Sequence, residues 1–384
     1  MNNIFNCKKL GFGLMRLPQE DPNDWMSPVK TDEVIKLVDC FMERGFTYFD
    51  TAWMYCGFQS EKTIKTALVD RYPRNSFTLA TKLHGGFFNT KEEMESVFKK
   101  QLENTGVEFF DYYLLHDVGE DHYKKYTEFD CFNWLVDKKE KGLVKHIGFS
   151  YHDGAELLDR ILTEHPEIEF VQLQINYLDW DNEGIQSGKC YEVCVKHNKP
   201  VIVMEPVKGG TLAFVPEKVE KLFKSFNPEA SVPSWAIRFA ASLDNVAVVL
   251  SGMGTMDMML DNTSYMSDFK PLSSEESEIV KKAVATINES IAIPCTGCAY
   301  CVDGCPKQIP IPKYFALYNA EMNEYKGKGF TPQNGYYNRL IETHGRAGDC
   351  IGCGKCEKIC PQHLPIRENL KLVSAQFDPA NKEF

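Results

Sequence analysis

The sequence predicts an α/β protein in which a closed (β/α)₈ barrel is followed by a smaller, cysteine-rich domain. Apolar strand-like runs and helical patterns alternate from about residue 10 to residue 266, and eight such runs are present. Eight β-α units of this size form a TIM barrel with its helices outside. Past Pro294, cysteine, proline and glycine become frequent. We therefore predict a barrel over residues 1–290 and a second domain over residues 291–384.

The eight predicted strands are short apolar runs separated by helical patterns. A doubly wound open sheet is the alternative arrangement, and the absence of Gly-x-Gly-x-x-Gly after the first run makes it the weaker one. The runs cover residues 10–14, 47–49, 77–81, 112–115, 145–149, 171–175, 201–204 and 246–250.

The helices are predicted from caps followed by apolar residues at helical spacing. Thr31 is predicted to cap the first helix, which Gly45 ends. Ser60 opens the next helix, and Thr90 opens a third. A capped helix over Ser273–Glu289 leaves the barrel.

Composition excludes several classes of protein. The net charge of −11 argues against a nucleic-acid-binding surface, which normally carries a basic patch. No apolar run approaches the length of a membrane span, and the first residues lack the pattern of a signal peptide. We therefore expect a cytoplasmic protein that binds neither nucleic acid nor membrane.

Four reactive side chains follow three consecutive predicted strands. Asp50 ends the second run, Tyr55 lies on the loop after it, and the next two runs lead to Lys82 and His116. Ligands meet parallel α/β proteins at this edge, so the four residues form a candidate proton-transfer site. Taken singly, the acid could be a helix cap, the amine a surface charge and the imidazole a core histidine.

This set of residues, in this order and spacing, resembles the catalytic tetrad of the aldo-keto reductases. The resemblance extends over residues 10–13 (LGFG), 148–150 (GFS) and 251–254 (SGMG), about three quarters of the chain. It implies NAD(P)H-linked reduction of a small-molecule carbonyl. In that reaction Lys82 would lower the pKa of Tyr55, which would act as general acid. Asp50 would hold the amine, and His116 would orient the carbonyl oxygen.

The resemblance also implies residues that bind the nicotinamide cofactor. Ser150 and Gln172 match positions that hold the carboxamide. Gly209 and Gly210 match a loop around the pyrophosphate, although an ordinary turn would look the same. Asn262 matches an adenine-side position and could equally be a helix-end residue.

Several positions depart from the family's pattern. Tyr151 replaces an asparagine, and Met204 replaces the aromatic residue under the nicotinamide. The basic residues that grip the 2′-phosphate of NADPH are Gly252 and Met258, so the choice between NADP and NAD stays open. Pocket tryptophans are replaced by His84 and Asp117, which makes the pocket more polar, and two other tryptophans are candidate pocket walls: Trp53 and Trp180.

The C-terminal tail contains an internal repeat, in which residues 295–311 match residues 350–366. Each copy contains Cys-x2-Cys-x2-Cys-x3-Cys-Pro, the spacing of bacterial ferredoxins with two [4Fe–4S] clusters. Structural zinc is the alternative, but it favours pairs of cysteines separated by a longer gap. By resemblance, one cluster takes Cys295, Cys298, Cys301 and Cys360, and the other takes Cys350, Cys353, Cys356 and Cys305. A helix is predicted near residues 314–324, then a glycine-rich loop and a second helix before His344.

The two halves together resemble the subgroup of aldo-keto reductases that carries a C-terminal ferredoxin-type domain, and they suggest three functions. The first is a carbonyl reductase whose tail exchanges electrons with a partner such as ferredoxin or flavodoxin. The second is an electron-transfer or redox-sensing protein whose barrel binds nucleotide without turnover. The third is a flavin-assisted reductase with FMN, because nicotinamide moves two electrons and each cluster moves one. Ligand spacing leaves open whether the clusters carry electrons or only staple the tail.

Overall fold

The chain forms a closed barrel of eight parallel strands in the order of the sequence. The structure is a computed structural model and describes residues 4–22, 24–289, 292–295, 297, 299–322, 331–360 and 362–378. All eight predicted runs fall on strands, which confirms the barrel and rules out the open sheet. The strands are β1 (Leu10–Gly13), β2 (Tyr48–Asp50), β3 (Thr78–His84), β4 (Phe110–Val118), β5 (Val144–Tyr151), β6 (Phe170–Gln174), β7 (Val201–Met204) and β8 (Val246–Ser251).

Helices connect the barrel strands and cover them from outside. Thr90 and Ser273 cap their helices as predicted, the latter in a capping box with Glu276. The prediction for Thr31 is wrong by one residue, because Lys30 takes the cap position and makes no side-chain cap bond. The barrel helices are α1 (Thr31–Glu43), α2 (Tyr55–Phe58), α3 (Ser60–Ile64), α4 (Lys91–Thr105), α5 (Glu120–Glu128), α6 (Cys131–Glu140), α7 (Ala155–Glu164), α8 (Ser187–Lys196), α9 (Glu217–Phe226), α10 (Val232–Ala241), α11 (Met256–Met266) and α12 (Ser274–Asn288).

Aromatic side chains fill the lower part of the barrel. Phe5, ahead of β1, stacks on Tyr112 with ring centroids 4.9 Å apart and meets Phe170 edge-on at 5.6 Å. The hydroxyl of Tyr112 donates to the carbonyl of Ile4 at 2.9 Å. The N-terminal segment therefore plugs the bottom, and reactive side chains gather at the opposite end.

The tail forms a second, helical core around its cysteines. The repeat is visible in the structure, since each cysteine run leads through a short helix into a longer one. The predicted helix near residues 314–324 is present, and the glycine-rich loop lies mostly outside the described residues, as does the boundary at residues 290 and 291. The tail helices are α13 (Tyr300–Asp303), α14 (Ile311–Met322), α15 (Pro332–Thr343), α16 (Lys355–Ile359) and α17 (Ile366–Phe377).

Helix α15, which lies between the two cysteine runs, packs over the open end of the barrel. Arg339 on this helix donates to the carboxylate of Asp117 and to the carbonyl of His152. One turn earlier, the Tyr336 hydroxyl lies 3.5 Å from Oε1 of Gln174 at the end of β6. The barrel loop after β6 contributes Ile185 to the core of the tail. The two halves thus share an interface at the end of the barrel where the tetrad lies.

Candidate active site and cluster cavities

A buried ion pair forms the floor of the candidate site. Lys82 donates to the carboxylate of Asp50 and, at 2.8 Å, to the carbonyl of Thr51. The side chains of the pair are 0% and 3% exposed, so neither charge is solvated by bulk water. Burial raises the pKa of Asp50, while Lys82 opposes that shift. Burial also disfavours the ammonium, but Asp50 and Tyr55 outweigh it and raise the pKa of Lys82.

Tyr55 stands between this ion pair and the histidine. The Lys82 Nζ lies 5.0 Å from the centroid of the phenol ring, and the ring of His116 meets it edge-on at 5.8 Å. Burial raises the pKa of Tyr55 above its usual value, and Lys82 acts against that rise. The amine therefore acts in the direction predicted from the sequence, but desolvation is larger. A tyrosine with a raised pKa keeps its proton at neutral pH.

The side chain of His116 is half-buried at the open end of the barrel. Burial, reinforced by the charge of Lys82, holds its pKa well below the usual range. Its Nδ1 is buried and has no hydrogen-bond partner among the described residues. A buried polar atom without a partner is costly in a folded protein, so this nitrogen is suited to a ligand that enters the site.

The alternative interpretations of single tetrad residues, as a helix cap, a surface charge and a core histidine, do not fit these positions. Asp50 ends a strand and caps no helix, and Lys82 is fully buried. His116 is no satisfied core histidine. Lys82 and His116 lie within β3 and β4, not beyond their ends as the shorter predicted runs suggested.

The residues implied for the nicotinamide carboxamide lie beside the tetrad. Gln172 donates to Oδ2 of Asp50 at 3.1 Å, which leaves its own amide oxygen for a ligand. Ser150 Oγ accepts from the backbone N–H of Asp117 at 2.8 Å, and that bond does not use the hydroxyl hydrogen. These two side chains fit a carboxamide, which needs one donor and one acceptor.

The residues implied for the rest of the nucleotide differ in how well they fit. Gly209 and Gly210 form a tight turn after β7 with φ of 63° and 110°, and no heavy atom lies within 4 Å of a β-carbon built at Gly210. The amide of Asn262 is used within the protein, since it donates to Ser251 Oγ at 2.9 Å and accepts from Tyr265 at 2.7 Å. This favours the structural interpretation of Asn262.

A basic residue near the loop after β8 was not identified from the sequence. Gly252 occupies the position where a basic residue was expected, and the Cβ of Arg16 lies 3.3 Å from the position of a β-carbon built there. Arg16 is exposed in the short helical turn after β1. The signal was present, because β1 and β8 must be neighbours in a closed barrel and the residue follows the first strand.

The two tryptophans suggested as pocket walls have different surroundings. Trp180 packs against Tyr191 and Phe239, with ring centroids 5.6 and 5.8 Å away, among the outer helices. It therefore packs, partly buried, against the barrel core. Trp53 lies on the loop between Asp50 and Tyr55 and meets Phe58 edge-on at 6.0 Å.

Histidines and one carboxylate form the polar wall next to His116. The ring of His84 meets His116 edge-on at 5.3 Å, and His122 follows at 4.8 Å from His84. Ligand atoms of His84, Asp117 and His122 lie within 4.8 Å of one another, which could suit a metal ion. The guanidinium of Arg339 already binds the same carboxylate, so we interpret the group as an ion-pair network.

The cysteines of the tail line two cavities that draw on both repeats. The first is lined by Cys295, Cys301 and Cys360, and Cys298 lies outside the described residues. The second is lined by Cys305, Cys350, Cys353 and Cys356. In each cavity the fourth cysteine of one repeat joins the described cysteines among the first three of the other. Thiol sets of this kind fit cubane clusters better than zinc pairs.

The barrel with this tetrad and the two thiol-lined cavities together define a barrel oxidoreductase with an iron–sulfur tail. The profile of the Aldo/keto reductase family matches residues 9–285, and that of the 4Fe-4S dicluster domain matches residues 294–364. The chain therefore belongs to the aldo/keto reductase family and carries a 4Fe–4S domain behind its barrel.

Individual relatives are distant. The chain is 28% identical over 187 residues to "Probable aldo-keto reductase 1" of Glycine max, which covers 47% of this chain, and it spans about half (50%) of that relative. Two solved structures share the fold. A thermostable aldo-keto reductase in complex with the inhibitor epalrestat is 20% identical, with a TM-score of 0.58 over 72% of this chain and 94% of that one. An aldo-keto reductase from Klebsiella pneumoniae in complex with NADPH is 17% identical, with a TM-score of 0.56 over 71% and 90%.

Within the described part of the chain, no helix combines the length and the apolar character needed to cross a bilayer.

Proposed function

We propose that this protein reduces a small-molecule aldehyde or ketone with NADPH or NADH, with Tyr55 as the general acid. The observation that carries the proposal is the convergence of the half-buried Tyr55 and His116 on the buried Lys82, with Asp50 beneath the amine. The cofactor supplies a hydride to the carbonyl carbon when it is bound. The protein must then supply a proton to the carbonyl oxygen.

Each tetrad residue has a role in that proton transfer. Tyr55 holds a proton at neutral pH because burial raises its pKa. The developing negative charge on the phenol is stabilised by Lys82, whose own charge is held by Asp50. His116 is neutral because its pKa is held well below the usual range. Its ring N–H donates a hydrogen bond to the substrate oxygen and orients it.

The nicotinamide is held by its carboxamide on Ser150 and Gln172, with the pyrophosphate against the turn of Gly209 and Gly210. Arg16 is the cation that faces a 2′-phosphate, which favours NADPH over NADH. The internal hydrogen bonds of Asn262 give it less weight as an adenine contact.

The tail holds two [4Fe–4S] clusters, each on four cysteines. The sets are Cys295, Cys298, Cys301 and Cys360 in one cavity and Cys305, Cys350, Cys353 and Cys356 in the other. Such clusters transfer single electrons. We propose that the clusters exchange these electrons with a redox protein partner such as a ferredoxin or flavodoxin. We also propose that the protein is cytoplasmic and that its domains cover residues 1–290 and 291–384.

Two other functions make different predictions. A redox sensor with a non-catalytic barrel does not need a phenol beside a buried amine, so the geometry favours the reductase. An FMN-dependent reductase would resolve the mismatch between hydride and single-electron transfer. The partly buried Met204 at the end of β7 gives the ring of a bound cofactor no aromatic partner, which keeps this alternative open.

The test is anaerobic purification, a visible spectrum, and titration with NADH and NADPH in the presence of a panel of aldehydes and ketones. Oxidation of the nicotinamide that depends on the carbonyl supports the proposal. A flavin absorption band would support the FMN alternative. A protein that binds nucleotide and turns over no carbonyl would contradict the proposal and favour the sensor.

A further inference from the structure

Arg339 crosses from the iron–sulfur tail into the barrel. Its side chain is only 10% exposed, although it lies in the segment between the two cysteine runs. It donates to Asp117 and to the carbonyl of His152, and its Nε is 3.9 Å from Asp121. A β-carbon at Gly119 would lie 2.6 Å from Nε, so the glycine makes room for the guanidinium. The barrel therefore provides a binding site whose shape and polar groups match this one side chain.

The residue that Arg339 holds is placed next to the proposed chemistry. Asp117 directly follows His116 and has a left-handed φ of 57°, which is costly for a residue with a side chain. The pairing between β4 and β5 shifts at this point. The backbone N–H of Asp117 donates to Ser150 Oγ, and its carbonyl lies 2.7 Å from Nδ1 of His122. One strained residue thus links the catalytic histidine to the carboxamide site.

We propose that Arg339 is a positioning residue for the barrel's reaction, and that by holding Asp117 it fixes His116 and Ser150 in working geometry. The proposal rests on the proposed carbonyl reduction. Its consequence is that the barrel site is complete only when the iron–sulfur tail is folded against it.

The charges around Asp117 explain why an arginine is needed. The carboxylate faces His84 from β3, His122 from α5, His152 from the loop after β5, and Arg339 from α15, and Asp121 of α5 lies near the same guanidinium. Burial favours the neutral acid, but His152 and the bonded Arg339 outweigh it and keep the pKa of Asp117 below its usual value. Without the guanidinium, the half-buried carboxylate would turn to the imidazoles beside His116 for a partner. That rearrangement would disturb the catalytic histidine without unfolding the chain.

The test compares Arg339→Ala, Arg339→Lys and wild type, each with its iron content and visible spectrum measured first. We expect Arg339→Ala to keep its iron and lose roughly 10- to 100-fold in kcat, as expected for a small misplacement of catalytic groups. Millimolar guanidinium should restore part of that loss. Lysine should recover less than half of the lost rate, since one ammonium cannot reproduce the two contacts of the fork. Arg160→Gln, which removes an exposed pair with Glu120, is the matched control and should match wild type.

Two outcomes would overturn the proposal. One is an Arg339→Ala variant with wild-type kcat and KM. The other is a loss of rate that guanidinium does not restore, whether or not iron is lost as well, because this would show a purely structural role. If the wild-type protein itself reduces no carbonyl, the proposed function has failed, and this result is distinct from both.

Discussion

The barrel site and the iron–sulfur tail obtain their chemistry in opposite ways. In the barrel, Asp50, Lys82 and His116 come from three strands, and their charge states depend on burial. In the tail, the cysteines lie a few residues apart, and one of them, Cys353, is exposed. The barrel site therefore depends on tertiary packing throughout, whereas in the tail local spacing supplies the cysteines of each run and packing of the two repeats adds only the fourth. A substitution in the barrel should change rates without changing iron, and a substitution in the tail should do the reverse except where α15 joins the two.

The largest expected effect is on the phenol. Tyr55→Phe removes the proton donor, and we expect a fall in kcat/KM for carbonyl reduction of about 10²- to 10⁴-fold or more, with iron content unchanged. Steady-state kinetics and an iron assay measure the two quantities. Tyr72→Phe, which removes a hydroxyl bonded to Asp39 on the outer surface, serves as the control. Retained turnover in Tyr55→Phe would remove this residue from its role.

The buried ion pair should matter for stability as well as for rate. Asp50→Asn leaves the buried ammonium of Lys82 without its counter-charge, and such losses cost about 3–5 kcal/mol of unfolding free energy. The exposed pair of Lys281 and Glu278 is the matched comparison, where Glu278→Gln should leave the unfolding free energy nearly unchanged. Chemical denaturation of both variants measures the difference. Equal losses would mean that burial does not set the importance of the pair.

The sequence predicted what local patterns determine. The eight strands, the caps at Thr90 and Ser273 and the cysteine repeat each follow from spacing that can be counted along the chain. The tetrad was predicted from family resemblance, and its residues come together in the barrel. The predicted lowering of the pKa of Tyr55 is wrong, because desolvation depends on the surrounding atoms and here it outweighs Lys82.

The contacts between the two halves could not be predicted from the sequence. Arg339 lies 222 residues from Asp117, and nothing around either residue indicates the partner. Arg16 beside Gly252 is different, because that closeness follows from the closed barrel, which the sequence does predict. Pairings such as that of Arg339 with Asp117 depend on how whole elements dock, and single-sequence patterns carry no information on docking.

A substitution that tests the crossed arrangement of the cysteines should have an intermediate effect on iron content, the loss of one cluster and not of both. Cys305→Ser should impair the cavity that contains Cys350, Cys353 and Cys356, although Cys305 belongs to the first repeat. We expect loss of one cluster of two, measured as iron per chain and by electron paramagnetic resonance after reduction. Cys131→Ser, at a buried barrel cysteine, is the control and should keep both clusters. Selective loss of the cluster bound by Cys295 and Cys301 would contradict the crossed arrangement.

Acid and base should separate the two regions within a single protein, with the smallest effects near neutral pH. A general acid must be protonated, so the rate of carbonyl reduction should be level through neutrality and fall only as pH rises through the pKa of Tyr55. Because burial raises that pKa, the fall should begin above the usual tyrosine value of about 10. Cluster ligands are thiolates, so the tail should instead lose iron as pH falls and protons compete for sulfur. Parallel pH series of initial rate and bound iron test this. If the rate of carbonyl reduction instead declines together with bound iron as the pH is lowered, the tail, and not the phenol, limits the barrel reaction.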